Sequence, residues 1–150
     1  MEIQSDFKEL LELLNSHEVE YIIVGAYALA FYGSPRYTGD IDIYVKPDSQ
    51  NAEKIVYALN DFGFGSLNLT IEDFSQPDTV IQLGVPPHRI DLITSITGVT
   101  WDKAFENRIA GKYGDLEVFF LGRNEYIQNK KATGRKKDLA DLESIGVDSD

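Results

Sequence analysis

The sequence has no cysteine and only two histidines in 150 residues. The lack of cysteine excludes a disulfide framework, a thiolate zinc site and a cysteine nucleophile, and it fits a reducing compartment. His17 and His88 fall in predicted turns and have neither a second metal ligand nor a serine partner in the sequence pattern, which argues against a zinc site or a hydrolase triad. We therefore expect a cytoplasmic protein whose chemistry depends on other residue types.

Long hydrophobic runs and positive charge are also scarce. No apolar run approaches the roughly 20 residues that a membrane helix needs, and the N-terminal segment MEIQSDFKELLELLN is acidic, unlike a basic signal peptide. The 14 Lys and Arg residues are outnumbered by 25 Asp and Glu residues, which gives a net charge of −11. The lack of a long apolar run means that we expect no membrane insertion. A surface of this sign repels nucleic acid, so we also expect no non-specific DNA binding.

The hydrophobic residues that are present suffice for a core. They make up 43% of the chain, and aromatic residues make up 11%, which is typical of a globular domain of this length. Internal repeats, low-complexity segments and long linkers are lacking in the sequence. The sequence therefore predicts a single domain over residues 1–150.

Alternating and periodic hydrophobic patterns predict the order of helices and strands. Asp6 and Glu9 are spaced as a capping box for a first helix, which ends near Ser16. Strands are predicted at 21–24, 40–45, 79–83, 89–94 and 116–121, and the third and fourth form a hairpin. Further helices are predicted at 26–32, 49–63, 101–109 and 124–131 and around residues 139–145. This order indicates an α+β or α/β sandwich with a mixed sheet and a helical C-terminal end.

Three carboxylates and one basic segment are the candidate site residues. Asp40 and Asp42 lie two positions apart on the strand DIDIYV, so they project from the same face and can share a divalent cation. Asp91 is the acidic residue of the apolar strand RIDLIT. Five cations fall within eight positions near the C-terminus and can form a local anion site; they are Lys130, Lys131, Arg135, Lys136 and Lys137. The alternative is that the carboxylates and the lysines are only solvated surface groups.

These patterns together resemble the nucleotidyltransferase superfamily that has the polymerase-β-like fold. The resemblance rests on YIIVGAYALAFYGSPRYTGDIDIYV, RIDLIT and NKKATGRKKDLADLE, and it runs from about Tyr21 to Ile145. Within that superfamily the chain is similar to the small toxin-type enzymes of abortive-infection and toxin–antitoxin systems. The resemblance implies an α+β fold in which a mixed β-sheet packs against helices, with a helical C-terminal segment.

The resemblance also implies roles for individual residues. Asp40, Asp42 and Asp91 would be the catalytic carboxylates and would hold one or two Mg²⁺ ions. The phosphates of a nucleoside triphosphate would be bound by backbone and side-chain groups of Gly25, Ala26, Arg36, Thr38, Lys130, Arg135 and Lys137. Ala26 stands where the family usually has Gly or Ser, so at that position this chain offers a backbone N–H and no hydroxyl.

The implied reaction is metal-dependent transfer of a nucleoside monophosphate from the triphosphate to an acceptor hydroxyl or phosphate, with release of pyrophosphate. The implied acceptor is an RNA, such as tRNA, or a protein, and a cognate antitoxin is an expected partner. The alternative is a nucleotide- or partner-binding module that keeps the fold and has weak or no turnover, which the departure at Ala26 favours.

Overall fold

The computed structural model describes residues 3–35, 39–84 and 87–148. Within these residues the chain forms seven α-helices and six β-strands. The helices, α1 to α7, are Ser5–Ser16, Gly25–Phe31, Ser49–Leu59, Ile71–Ser75, Trp101–Glu106, Arg123–Thr133 and Lys136–Ser144. The strands, β1 to β6, are Tyr21–Val24, Asp40–Val45, Val80–Leu83, Arg89–Ile93, Ile109–Tyr113 and Leu116–Phe120.

All six strands belong to one mixed sheet, in the order β3-β4-β2-β1-β6-β5. Strand β2 lies near the centre, antiparallel to β1 and parallel to β4. Strand β6 pairs with β1 in parallel, and the edge strands β3 and β5 are each antiparallel to their neighbours. This arrangement of a mixed sheet with helices confirms the predicted α+β class, including the helical C-terminal segment formed by α6 and α7.

The two faces of the sheet are covered by different helices. On one face, Tyr21 donates a hydrogen bond of 2.8 Å from its hydroxyl to Asn15 of α1, so α1 packs there. On the other face, Tyr44 packs edge-on against Trp101 of α5, with ring centroids 4.9 Å apart. Side chains alternate along a strand, so Asp42 projects from the same face as Tyr44. The predicted acidic residues therefore lie on the α5 face of the sheet.

Several predicted boundaries differ from the structure. The capping box at Asp6 is wrong, because α1 is capped at Gln4 and Asp6 already lies in its first turn. The helix predicted over 101–109 ends at Glu106, and Ile109 begins strand β5, which was not predicted. The helix predicted over 49–63 changes to a π-helical turn after Leu59, where Gly63 has a positive φ of 107°. The short helix α4 was also not predicted; its N-terminus has a capping box formed by Thr70 and Asp73.

The expected absence of a membrane span agrees with the helices that are described. Across residues 3–35, 39–84 and 87–148, no helix combines the length and the apolar character that crossing a bilayer requires.

Asn51 joins the start of α3 to the ends of two strands, and we expect its loss to destabilise the fold. Its buried amide accepts a 2.8 Å hydrogen bond from the backbone N–H of Glu20 and donates to the carbonyls of Glu20 and Lys46. Asn51→Ala leaves these backbone groups unpaired, which should lower the free energy of unfolding by about 2–4 kcal/mol. Asp48→Ala removes one capping bond and should lower it by only about 1 kcal/mol. Urea denaturation of both variants tests this order; equal losses would contradict it.

Candidate active site

Three carboxylates lie together where β2 and β4 begin. The parallel register places Asp42 directly beside Asp91 and Asp40 directly beside Arg89. Residues that are opposite each other in adjacent strands project from the same face, so all four side chains share one surface. The expected common face for Asp40, Asp42 and Asp91 is therefore present, and Asp91 is buried there.

A tight turn at Gly25 brings the start of α2 against this surface. Val24 is the β1 partner of Asp42, and Gly25 follows it with a positive φ of 66°. A Cβ atom at position 25 would overlap a carboxylate oxygen of Asp42. Glycine is therefore required here for two reasons, its left-handed backbone conformation and the space that the carboxylate occupies.

Asp42 is in an environment that opposes its ionisation. Burial is the main cause, and the charges of Asp91 and Asp40 add to it, which together raise the pKa of Asp42 to about 6. A hydrogen bond from the protonated Asp42 carboxyl to Asp91 acts in the same direction, and the charge of Lys130 opposes the rise. A carboxylate held beside like charges is stabilised by any cation or proton that binds to it.

Arg89 is a member of this surface that the sequence analysis missed. Its Nε donates a 2.8 Å hydrogen bond to Asp91 Oδ1, and its Nη2 donates to Asp91 Oδ2 at 3.1 Å and to Asp40 Oδ2 at 2.9 Å. Arg89 and Asp91 are two positions apart on one strand, as Asp40 and Asp42 are. The same rule of alternation could have found Arg89 in the segment RIDLIT.

The donor set of this surface fits a hard divalent cation. Asp42 and Asp91 supply closely spaced carboxylate oxygens, the ligand type that Mg²⁺ prefers, and the guanidinium of Arg89 already stands in as a cation between Asp91 and Asp40. Among the residues that the structure describes, no group of three or more His, Cys, Asp or Glu side chains is arranged as a metal site. Instead, oxygens of Asp40 and Asp91 are bound by Arg89.

Lys130 is a cation of the C-terminal segment whose charge acts on Asp42. It lies on α6 and is only 9% exposed. Its positive charge partly offsets the rise in the pKa of Asp42. Its Nζ donates a 3.3 Å hydrogen bond to Asp138 and lies 3.8 Å from Asp141, both on α7. Burial opposes the ionisation of Asp138, but hydrogen bonds from Arg135, Thr133 and Lys130 outweigh it and lower its pKa. Asp138 thus keeps a charge that holds Lys130 in place.

The remaining predicted phosphate-binding residues have varied positions. Arg135 also pairs with Asp138, with a 2.7 Å bond from its Nε, while its side chain is 63% exposed. Lys137 is exposed in the first turn of α7. Ala26 follows Gly25 in the first turn of α2. Arg36 and Thr38 lie outside the described residues.

The fold is that of known nucleotidyltransferase structures. A protein from Thermotoga maritima assigned as a nucleotidyltransferase has a TM-score of 0.61 and 15% identity, with 91% of this chain and 88% of that chain covered. The lincosamide antibiotic adenylyltransferase LnuA, bound to lincomycin, has a TM-score of 0.54 and 14% identity, with 97% and 98% covered. A nucleotidyltransferase-like antigenic protein from Paracoccidioides brasiliensis has a TM-score of 0.52 and 18% identity, with 95% and 75% covered.

The sequence itself assigns the chain to a family. Residues 1–149 match the family described as "Nucleotidyltransferase of unknown function (DUF6036)", and the chain belongs to that family. A comparison with curated proteins found no match. The predicted membership of the nucleotidyltransferases is thereby confirmed at the level of family and fold.

The raised pKa of Asp42 predicts a stability that depends on pH. The folded state holds the Asp42 proton up to about pH 6, whereas an unfolded carboxyl loses it near pH 4, so ionised Asp42 destabilises the fold at higher pH. In EDTA at pH 7, we expect Asp42→Asn to raise the free energy of unfolding by about 1–3 kcal/mol, with the gain vanishing below about pH 4. Urea denaturation at several pH values measures this difference.

Asp61→Asn is the matched control for this experiment. Asp61 pairs with His17 at 2.7 Å on the surface, remote in sequence from both acidic strands. Asp61→Asn should not raise the free energy of unfolding at pH 7. A stability of Asp42→Asn below that of the wild type at pH 7 would contradict the assignment of repulsion to Asp42.

Proposed function

We propose that this protein is a metal-dependent nucleotidyltransferase. It transfers a nucleoside monophosphate from a nucleoside triphosphate to an acceptor hydroxyl or phosphate and releases pyrophosphate. The observation that carries this proposal is the register of Asp42 beside Asp91, with Gly25 packed against Asp42, in a chain of the nucleotidyltransferase family.

Asp40, Asp42 and Asp91 are the proposed ligands of one or two Mg²⁺ ions. A divalent cation bound there supplies positive charge to the phosphate oxygens and favours loss of the acceptor proton. The acceptor oxygen attacks the α-phosphorus, and the bond from that phosphorus to the oxygen of the β-phosphate breaks, with its electron pair leaving on pyrophosphate. Asp91 is the carboxylate proposed to lie nearest the acceptor, where its charge favours transfer of the acceptor proton to solvent water.

The triphosphate is proposed to lie between α2 and the C-terminal helices. Backbone N–H groups near Gly25 and Ala26 would bind phosphate oxygens, as would Lys130, Arg135 and Lys137, and we keep Arg36 and Thr38 in the proposed binding set. Lys130 has the best support among these residues because its charge already acts on Asp42. The protein's contribution is mainly positioning and charge neutralisation.

The acceptor is proposed to be an RNA, such as tRNA, or a protein. A toxin-type role, with a cognate antitoxin as partner in the cytoplasm, is the proposed biological setting. These proposals rest on the resemblance of the three sequence segments to toxin-type enzymes.

A binding module with weak or no turnover is the second candidate function. Two observations favour it. Ala26 offers no hydroxyl, and Lys130 and Arg135 already have a protein carboxylate, Asp138, as their partner. Such a protein would bind a triphosphate without producing pyrophosphate.

Label transfer from triphosphates tests the two candidates. We expect the wild type, with Mg²⁺ and total RNA, to transfer label from an α-labelled triphosphate and to release pyrophosphate. Asp42→Asn and Asp91→Asn should each reduce the rate by about 100-fold or more, since they remove charge that acts on the transition state. Asp61→Asn should retain the full rate. Triphosphate binding by the wild type without pyrophosphate would favour the binding module.

The exposed lysine of the proposed phosphate site can be tested by binding. If Lys137 contacts a phosphate, Lys137→Ala should weaken Mg²⁺–ATP binding by about 1.5 kcal/mol, or roughly tenfold in Kd, and added salt should weaken wild-type binding. Lys131 is an exposed lysine of the same segment that is not in the proposed set, so Lys131→Ala is the control. If Lys137→Ala binds Mg²⁺–ATP as tightly as Lys131→Ala does, Lys137 is only a solvated residue.

A further inference from the structure

The guanidinium of Arg89 occupies the centre of the carboxylate surface. It binds both oxygens of Asp91 and one oxygen of Asp40, at 2.8 to 3.1 Å. Hydrogen bonding to Asp91 is the main cause of the raised pKa of Arg89, and the charges of Asp91, Asp40 and Asp42 add to it. Arg89 thus neutralises part of the negative charge that a divalent cation would otherwise neutralise.

The oxygens that Arg89 binds are oxygens that a divalent cation would also need. We infer that Arg89 is an internal counter-cation that competes with the metal ion, so that Asp40 becomes a metal ligand only when its bond to Arg89 opens. This inference rests on the proposed metal-dependent function, since it assumes that Asp40, Asp42 and Asp91 can hold a cation.

The contacts of Arg89 allow it to release Asp40 while keeping Asp91, because each oxygen of Asp91 has a second lone pair that can still bind a cation. The two bonds to Asp91 form a bidentate pair within one strand, whereas the bond to Asp40 crosses to a neighbouring strand. The Arg89 side chain is 28% exposed and that of Asp40 is 39% exposed, so water can replace their bond. The Asp91 side chain is only 10% exposed, which strengthens the bond that remains.

Binding of Mn²⁺, followed by calorimetry and by the loss of the free-ion electron paramagnetic resonance signal, tests this inference without any turnover. We expect Arg89→Gln to bind Mn²⁺ at least about tenfold more tightly than the wild type, because a unit charge a few ångströms away is removed. Arg89→Gln should also have a lower melting temperature in EDTA, and Mn²⁺ should raise its melting temperature more than that of the wild type.

Two further variants separate the local effect from other causes. Lys112→Gln removes the same charge from edge strand β5, four strand spacings or about 19 Å from β4, and should leave Mn²⁺ affinity unchanged. Asp42→Asn should lose Mn²⁺ binding, which ties the measured ion to this surface.

Each result decides the inference. Tighter binding by Arg89→Gln with unchanged binding by Lys112→Gln supports it. Equal or weaker binding by Arg89→Gln, with a wild type that does bind Mn²⁺, overturns it and makes Arg89 a positioning residue for the carboxylates; the proposed metal site then stands. If neither the wild type nor Arg89→Gln binds Mn²⁺, the metal-dependent function itself fails, and the inference fails with it.

Discussion

The close approach of two like charges is the constraint on which this end of the molecule depends. Parallel pairing of β2 with β4 sets Asp42 beside Asp91, and backbone hydrogen bonds of the sheet fix that spacing. Repulsion between the two carboxylates opposes folding, so groups of opposite charge must lie nearby. Arg89 and Lys130 meet this need from different elements, one from the same sheet and one from α6. Burial of the apolar side chains of the sheet and helices offsets the free-energy cost of this repulsion.

Local periodicity accounts for what the sequence predicted well. The buried run at Tyr21–Val24 and the alternation of Asp40 and Asp42 depend on neighbours along the chain, so strand positions and the shared face of these carboxylates could be inferred. Strand β5 was missed because Ile109–Tyr113 has a glycine and a lysine inside it, and its pairing with β6 decides its conformation. The position of Asp91 beside Asp42 requires a sheet register, which the resemblance to nucleotidyltransferases supplied and local pattern did not.

The partners of the basic segment illustrate what sequence patterns leave out. Lysines and an arginine near a helix break have the composition of an anion site, and they were predicted as one. In the folded chain, the buried Asp138 accepts hydrogen bonds from both Lys130 and Arg135, because the turn at Gly134 folds α7 back against α6. Asp138 looks like an ordinary surface residue in the sequence. Only the packing of the two helices reveals that it has no exposed surface and that it orients Lys130.

Three kinds of positive charge could neutralise the carboxylate surface, and they are present under different conditions. A proton on Asp42 is available below about pH 6, the guanidinium of Arg89 is always charged, and a divalent cation depends on its concentration. The guanidinium is attached to the chain, as the ammonium of Lys130 is, so these counter-charges accompany folding at neutral pH. A protein whose carboxylates lacked such an internal cation would need metal to reach comparable stability. The arginine therefore allows the chain to fold in the absence of metal while it occupies the surface that is proposed to bind one.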